Sequence, residues 1–196
     1  ACGVLGQPGV SLPPPAAAFV NAFQIHALEF DCVHEGAVVH PMATIGGVLL
    51  SALGEEPVSG RALLTALVAG VDVSVGLGLC ARSPLKFFRP ATAGVFGGVA
   101  ALSRLRGLSV DQTVAAFGHA LGLASGTMQA HAEGKPALPL QIAAAARSAV
   151  QAVHPAGSPS PPAAPPMAAS SPSRRCATPM RLKRVRFPRR STAPRR

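Results

Sequence analysis

The chain has 196 residues, 48% hydrophobic and only 13% charged, with eight Phe and no Trp or Tyr. This is enough apolar material for one globular core or two small ones. The formal charge of +10 suggests a nucleic-acid or membrane binder until it is located. Residues 1–154 hold eight Lys/Arg against all eight Asp/Glu, so the excess comes from ten basic residues among the last 42, where there is no acid. The body is neutral and the tail carries the charge.

In chain order, Pro13, Pro14 and Pro15 can open a first helix running to about Phe30, because proline supplies a helical φ and needs no N–H partner in the first turn. Pro41 opens a second, to Leu53. A connector over 54–60 leads to a third helix, over 61–80. Its apolar run approaches membrane-span length but contains Asp72, Thr65, Ser74, Gly70, Gly76 and Gly78, so it is predicted to be buried on all sides in a soluble core, with no membrane crossing. A break is expected at Ser83 and Pro84. A fourth helix starts after Pro90, with small residues (Ala93, Gly94, Gly97, Gly98) that let a neighbouring helix approach, and Gly107 ends it. Ser109 and Gln112 fit a capping box for a fifth helix over 110–124, and an Ala-rich stretch predicts another over 138–153. No alternating strand pattern is evident. The expected fold is all-α: a helical bundle over 1–153, then a disordered basic tail rich in Pro, Ser and Arg over 154–196.

That tail allows three readings: a basic arm that binds nucleic acid or an anionic surface through RLKRVRFPRR, a terminus without function, or out-of-frame translation of GC-rich DNA. The four cysteines (Cys2, Cys32, Cys80, Cys176) form no CxxC pair and no signal peptide opens the chain, so the expected setting is reducing and cytoplasmic. A first residue other than Met points to a processed start or a fragment.

The densest polar stretch is 26–40, HALEFDCVHEGAVVH, with three histidines, three carboxylates and a cysteine. Moving a proton beside a carboxylate needs a base, an acid and cations for the carboxylate. His40 suits the proton transfer and Asp31 can fix an imidazole tautomer. Arg89 and Lys135 suit the carboxylates, the first as a fork and the second as a point charge. Each has a plainer reading. His26 and Glu29, one helical turn apart, can share a surface hydrogen bond. His40 can simply sit in the first turn of a helix, Lys135 can be solvated and Arg89 can satisfy carbonyls. His119 reads as a satisfied core histidine, and His131 and Glu133 lie near Lys135 in sequence. His34 and Glu35 lack the second histidine of HExxH, and His26, Cys32, His34 and His40 would form a metal set only by accident of folding, so no metal is expected.

Residues 19–153 resemble the helical domain of the MmgE/PrpD family, which includes 2-methylcitrate dehydratase and cis-aconitate decarboxylase. The resemblance lies in Asn21 with HALEFD after it, His40-Pro41 opening a helix, FRPATAGVFGGVAA (88–101), RGLSVDQTVAAFG and EGKPALPLQ (133–141). It implies an all-α domain, a homodimer, and an active site shared with a second, α/β domain. It also implies a small di- or tricarboxylate substrate and no cofactor, metal or iron–sulfur cluster. By position, Glu29 and Asp31 match the carboxylates of the family's LDFDD-type motif, His40 its active-site histidine and Lys135 its active-site lysine. Arg89 stands where several members place a histidine, and Cys32 and Val33 replace Asp and Thr. The expected function is that of a fragment of a cofactor-independent lyase or isomerase, with His40, Asp31 and Lys135 catalytic and Glu29, Arg89, Lys135 and His131 holding substrate. The alternative is a non-catalytic helical module whose basic tail binds nucleic acid.

Overall fold

The computed structural model describes residues 1–54, 57–82 and 85–157. The predicted break at Ser83-Pro84 and nearly all of the basic tail lie outside the described residues. The helices are α1 (Pro14–His26), α2 (Pro41–Ala52), α3 (Gly60–Cys80), α4 (Arg89–Thr92), α5 (Gly94–Leu105), α6 (Val110–Leu123), α7 (Gln129–Ala132) and α8 (Leu138–Gly157). Before them lies an unpredicted antiparallel hairpin of β1 (Cys2–Val4) and β2 (Gln7–Leu12). The fold is therefore mostly helical rather than purely α. The hairpin leaves almost no periodic trace because β1 has three residues and the pairing is irregular between Gly3 and Val4. Its anchor is Asn21 on α1, 1% exposed, which accepts from the Leu5 N–H at 2.9 Å and donates to the Gly3 carbonyl at 3.2 Å.

The main core lies where α1, α2, α5, α6 and α8 meet, and is built largely of Ala and Val with Leu102 and Ile142 at its centre. Small side chains fill so little space that backbones must approach closely. A Cβ on Gly47 would stand 2.6 Å from the Ala22 Cβ and 2.9 Å from the Ala18 carbonyl, which fixes how α1 meets α2. Gly70 of α3 and Gly97 of α5 face each other in the same way, each Cβ position falling under 3 Å from the other's carbonyl.

α3 corrects an expectation. Along it only Ala66, Gly70, Ser74 and Gly78 are fully buried, whereas Leu64 is 61% and Val68 66% exposed. Its composition and length would suffice to span a membrane. In this fold it packs through one face, the small-residue stripe flanked by partly buried Leu63, Leu67, Val71 and Val75, mainly against α5 and α2, and is not enclosed.

The ends of the helices show which sequence signals held. Ser109 and Gln112 form the capping box in full, and Ser59 caps α3 by accepting from the Ala62 N–H. α8 continues to Gly157, past His154 where the composition changes. α1 stops at His26, four residues before the predicted end, although neither Gly nor Pro interrupts it. The reason lies in the segment between α1 and α2.

Candidate functional site

After His26 the chain reverses. Glu29 takes a left-handed backbone, φ +55°, and its N–H bonds to the His26 carbonyl at 3.0 Å. This turn brings Asp31 back onto the end of α1, where its carboxylate Oδ1 lies 2.9 Å from His26 Nδ1. The predicted His26–Glu29 pair on one helical face is not formed. Helix propagation would have carried Asp31 away from His26, and the buried hydrogen bond between them takes the place of that last turn.

A tight loop then returns the chain to α2. The His34 N–H bonds to the Val39 carbonyl at 3.0 Å, and His34 Nδ1 accepts from the Ala37 N–H at 3.1 Å. Val38 is also left-handed, φ +54°, an uncommon state for a β-branched residue that costs roughly 1–3 kcal/mol. Two neighbours hold the loop in place. Gly78 of α3 allows Ala37 to seat against it, since a Cβ there would lie 2.7 Å from the Ala37 carbonyl. Arg89, the first residue of α4, donates from Nη1 to that same carbonyl at 3.4 Å. His40 ends the loop as the N-cap of α2, with φ −110° and ψ 77°, outside the helical region that a following proline disfavours.

Three buried groups meet here. Asp31 Oδ2 faces His40 Nδ1 at 3.4 Å, and the side chains of His26, Asp31 and His40 are 1%, 3% and 19% exposed. The two imidazoles sit edge to face, with centroids 4.9 Å apart. One donor atom from each of the three residues falls within 4.8 Å of the others, a trio compact enough for a cation. Of the contacts within it only His26 Nδ1 to Asp31 Oδ1 is a hydrogen bond; His26 Nε2, Asp31 Oδ2 and His40 Nδ1 are buried without a hydrogen-bond partner among the described residues. Cys32 is exposed and His34 is engaged in its own loop, so neither joins the trio.

In front of the trio is a cleft of about 170 Å³ lined by His26, Glu29, Val38, His40, Leu85, Phe88, Arg89, Pro90, Met128, His131 and Leu138. Four predicted site residues therefore share one hollow: Glu29, His40, Arg89 and His131. Asp31 stands behind it. Glu133 turns to the side-chain amide of Gln129 and does not line the cleft. Lys135 is exposed, outside the lining, and its backbone N–H bonds to the Ala130 carbonyl at 2.9 Å. His119 is satisfied as expected, its Nδ1 at 3.0 Å from the Ala152 carbonyl, but it belongs to the exposed side of α6 rather than the core.

His131 reaches the cleft because α7 is pinned from α8. Gln141 bonds to both the N–H and the carbonyl of Thr127, just before α7. The apolar wall of Phe88, Met128 and Leu138 carried no pattern that sequence reasoning could detect, since its members come from three separate segments. A larger hollow of about 270 Å³, lined by Leu77, Lys86, Phe87, Arg89 and Phe96 among others, holds no imidazole or carboxylate.

Chemically, the cleft offers an imidazole beside a carboxylate, the imidazole of His131, and a guanidinium able to take a carboxylate. Comparison with known proteins agrees in kind. Residues 1–158 match the MmgE/PrpD N-terminal domain. The chain is 35% identical over 160 residues to the cis-aconitate decarboxylase of Homo sapiens, an alignment covering 76% of this chain and 32% of that protein. The cis-aconitate decarboxylase of Mus musculus is 34% identical over 119 residues (56% of this chain, 24% of that one), and the cis-aconitate decarboxylase-like protein oryM of Aspergillus oryzae is 34% identical over 144 (68% and 30%). The chain thus spans about a third or less of the length of these relatives.

Proposed function

The chain belongs to the MmgE/PrpD family, and from that premise we propose that it carries the proton-transfer side of a lyase site acting on a small di- or tricarboxylic acid, without a cofactor. The observation that supports this reading is the shared cleft, where His40, His131 and Arg89 converge from three elements that are distant in sequence. A substrate carboxylate pairs with the Arg89 guanidinium and places its neighbouring carbon before His40. His40 Nε2 takes a proton from that carbon or returns one to it, while Nδ1–H is directed at Asp31. His131, which lines the same cleft, gives a proton to the departing hydroxyl in a dehydration, so that it leaves as water. Lys135, exposed outside the lining, supplies a further cation for a second carboxylate, and Glu29 accepts a hydrogen bond from a substrate hydroxyl. Both dehydration and decarboxylation use this set. The first requires removal of a proton beside a carboxylate, and the second requires delivery of one to the carbon that loses CO2.

The apolar wall serves the same chemistry by excluding water, which strengthens every charge interaction inside. A homodimer in a soluble, cytoplasmic setting completes the proposal. Binding is the direct test, because the chain spans only part of its relatives. Millimolar cis-aconitate or citrate is expected to raise the melting temperature of the 196-residue chain, and Arg89→Ala or His40→Ala to abolish the rise. A wild-type chain that no such acid stabilises would sink the proposal.

A further inference from the structure

His26 is fully buried, yet the proposed chemistry does not draw on it. If it served packing alone, leucine would do as well and would not bury Nε2, which has no hydrogen-bond partner among the described residues. Such an atom costs free energy, so its presence calls for a return elsewhere.

The return lies in the order of attachment. His26 is fixed by the end of α1 and His40 by the start of α2, whereas Asp31 is the one member of the trio carried by a loop. The rotation of a loop carboxylate is a soft degree of freedom. An ionised carboxylate only accepts, so the 2.9 Å contact is a hydrogen bond donated by His26 Nδ1–H to Oδ1. This bond sets the plane of the carboxylate and thereby turns Oδ2 toward His40 Nδ1, 3.4 Å away, where the two atoms are close enough for charge attraction but are not hydrogen-bonded and have no other partner among the described residues. From this geometry we infer that His26 is a positioning residue, which acts through Asp31 to hold His40 as the Nδ1–H tautomer with its Nε2 lone pair free for substrate. The relay runs from a rigid helix end, through a loop carboxylate, to the imidazole of the residue that precedes α2. Rigid elements hold a site more closely than loops do, and here the loop member is tied to one of them by a hydrogen bond. This inference rests on the proposed role of His40, but its test needs no substrate.

The test is 15N NMR of the histidine rings in the full 196-residue chain, where the two nitrogens of His40 report its tautomer. Three variants separate hydrogen bonding from bulk. The His26→Asn side chain places an amide donor near the Nδ1 position, His26→Gln places it near the Nε2 position, and His26→Leu has none. The expected result is a dominant Nδ1–H form of His40 in the wild type and in His26→Asn, falling to a minority form in His26→Gln and His26→Leu. An unchanged His40 tautomer in folded His26→Leu or His26→Gln overturns the inference, as does loss of folding in all three, which would make His26 a steric residue. Where only the leucine variant fails to fold, the Asn–Gln pair decides. If the tautomers show the expected pattern while no carboxylic acid stabilises the wild type, the positioning role stands and the proposed function falls.

Discussion

Arg89 and Ala37 are 52 positions apart in sequence and joined at 3.4 Å, guanidinium to carbonyl. The contact gives one side chain two tasks: it steadies the loop that carries Asp31 and His40, and it presents a cation to the hollow.

The two tasks separate in substitution. Arg89→Lys keeps the charge but loses the planar fork, so one ammonium cannot both hold the Ala37 carbonyl and pair in bidentate fashion with a carboxylate. We expect the stabilisation by citrate-like acids to weaken by about tenfold in apparent affinity, as read from melting temperature against ligand concentration. Full retention of affinity would show that Arg89 is structural only.

Asp31→Asn probes the centre of the trio. The amide is nearly isosteric, but it offers one acceptor where the carboxylate offers two, so one imidazole must turn or lose its partner. Turnover in a protein carrying this site is expected to fall on the order of 100- to 10,000-fold, with far less change in KM. A variant that raised KM alone would place Asp31 in substrate binding instead.

Glu29 and Val38 have the left-handed backbone that side chains usually avoid, and both line the cleft. Strain of this kind is held in place by the surrounding contacts. Val38→Gly should therefore raise the unfolding free energy by about 1 kcal/mol, measured by denaturant titration, while weakening ligand binding because the loop is no longer confined to one shape. Equal or lower stability would mean that the loop carries no strain at Val38.

At the α1–α2 crossing there is no room for a methyl group. Gly47→Ala would press on Ala22 and on the Ala18 carbonyl, both of which belong to a helix fixed elsewhere. A loss of roughly 1–3 kcal/mol is expected from overpacking, with ligand binding also reduced since α2 carries His40 at its start. Thermal unfolding that matched the wild type would show that the helices can separate at little cost.

The basic tail makes a prediction of its own that rests on sequence. Ten cations without an acid should bind DNA with an affinity that falls steeply as salt rises, and deletion of residues 158–196 should remove it. Salt-independent binding, or binding by the shortened chain, would rule this out.

The sequence by itself determined the helical order and several helix boundaries, because prolines at N1 and the Ser109–Gln112 box act within a few residues and need nothing from the rest of the fold. It also marked 26–40 as a dense polar stretch, and the family resemblance set Arg89, His131 and Lys135 beside it, of which the first two line the cleft with Glu29 and His40 and the third does not. Tertiary structure decided the rest. Composition made α3 look enclosed, but burial depends on neighbours, and only one face of it found them: the small-residue stripe is fully buried and Leu63, Leu67, Val71 and Val75 are partly so. The same holds for α1, whose last turn gave way to Glu29 and the return of Asp31, since a buried contact between His26 and a carboxylate outweighed one more helical hydrogen bond. Local signals cannot register that exchange, because its gain appears only when the loop, α3 and α4 close around the same point.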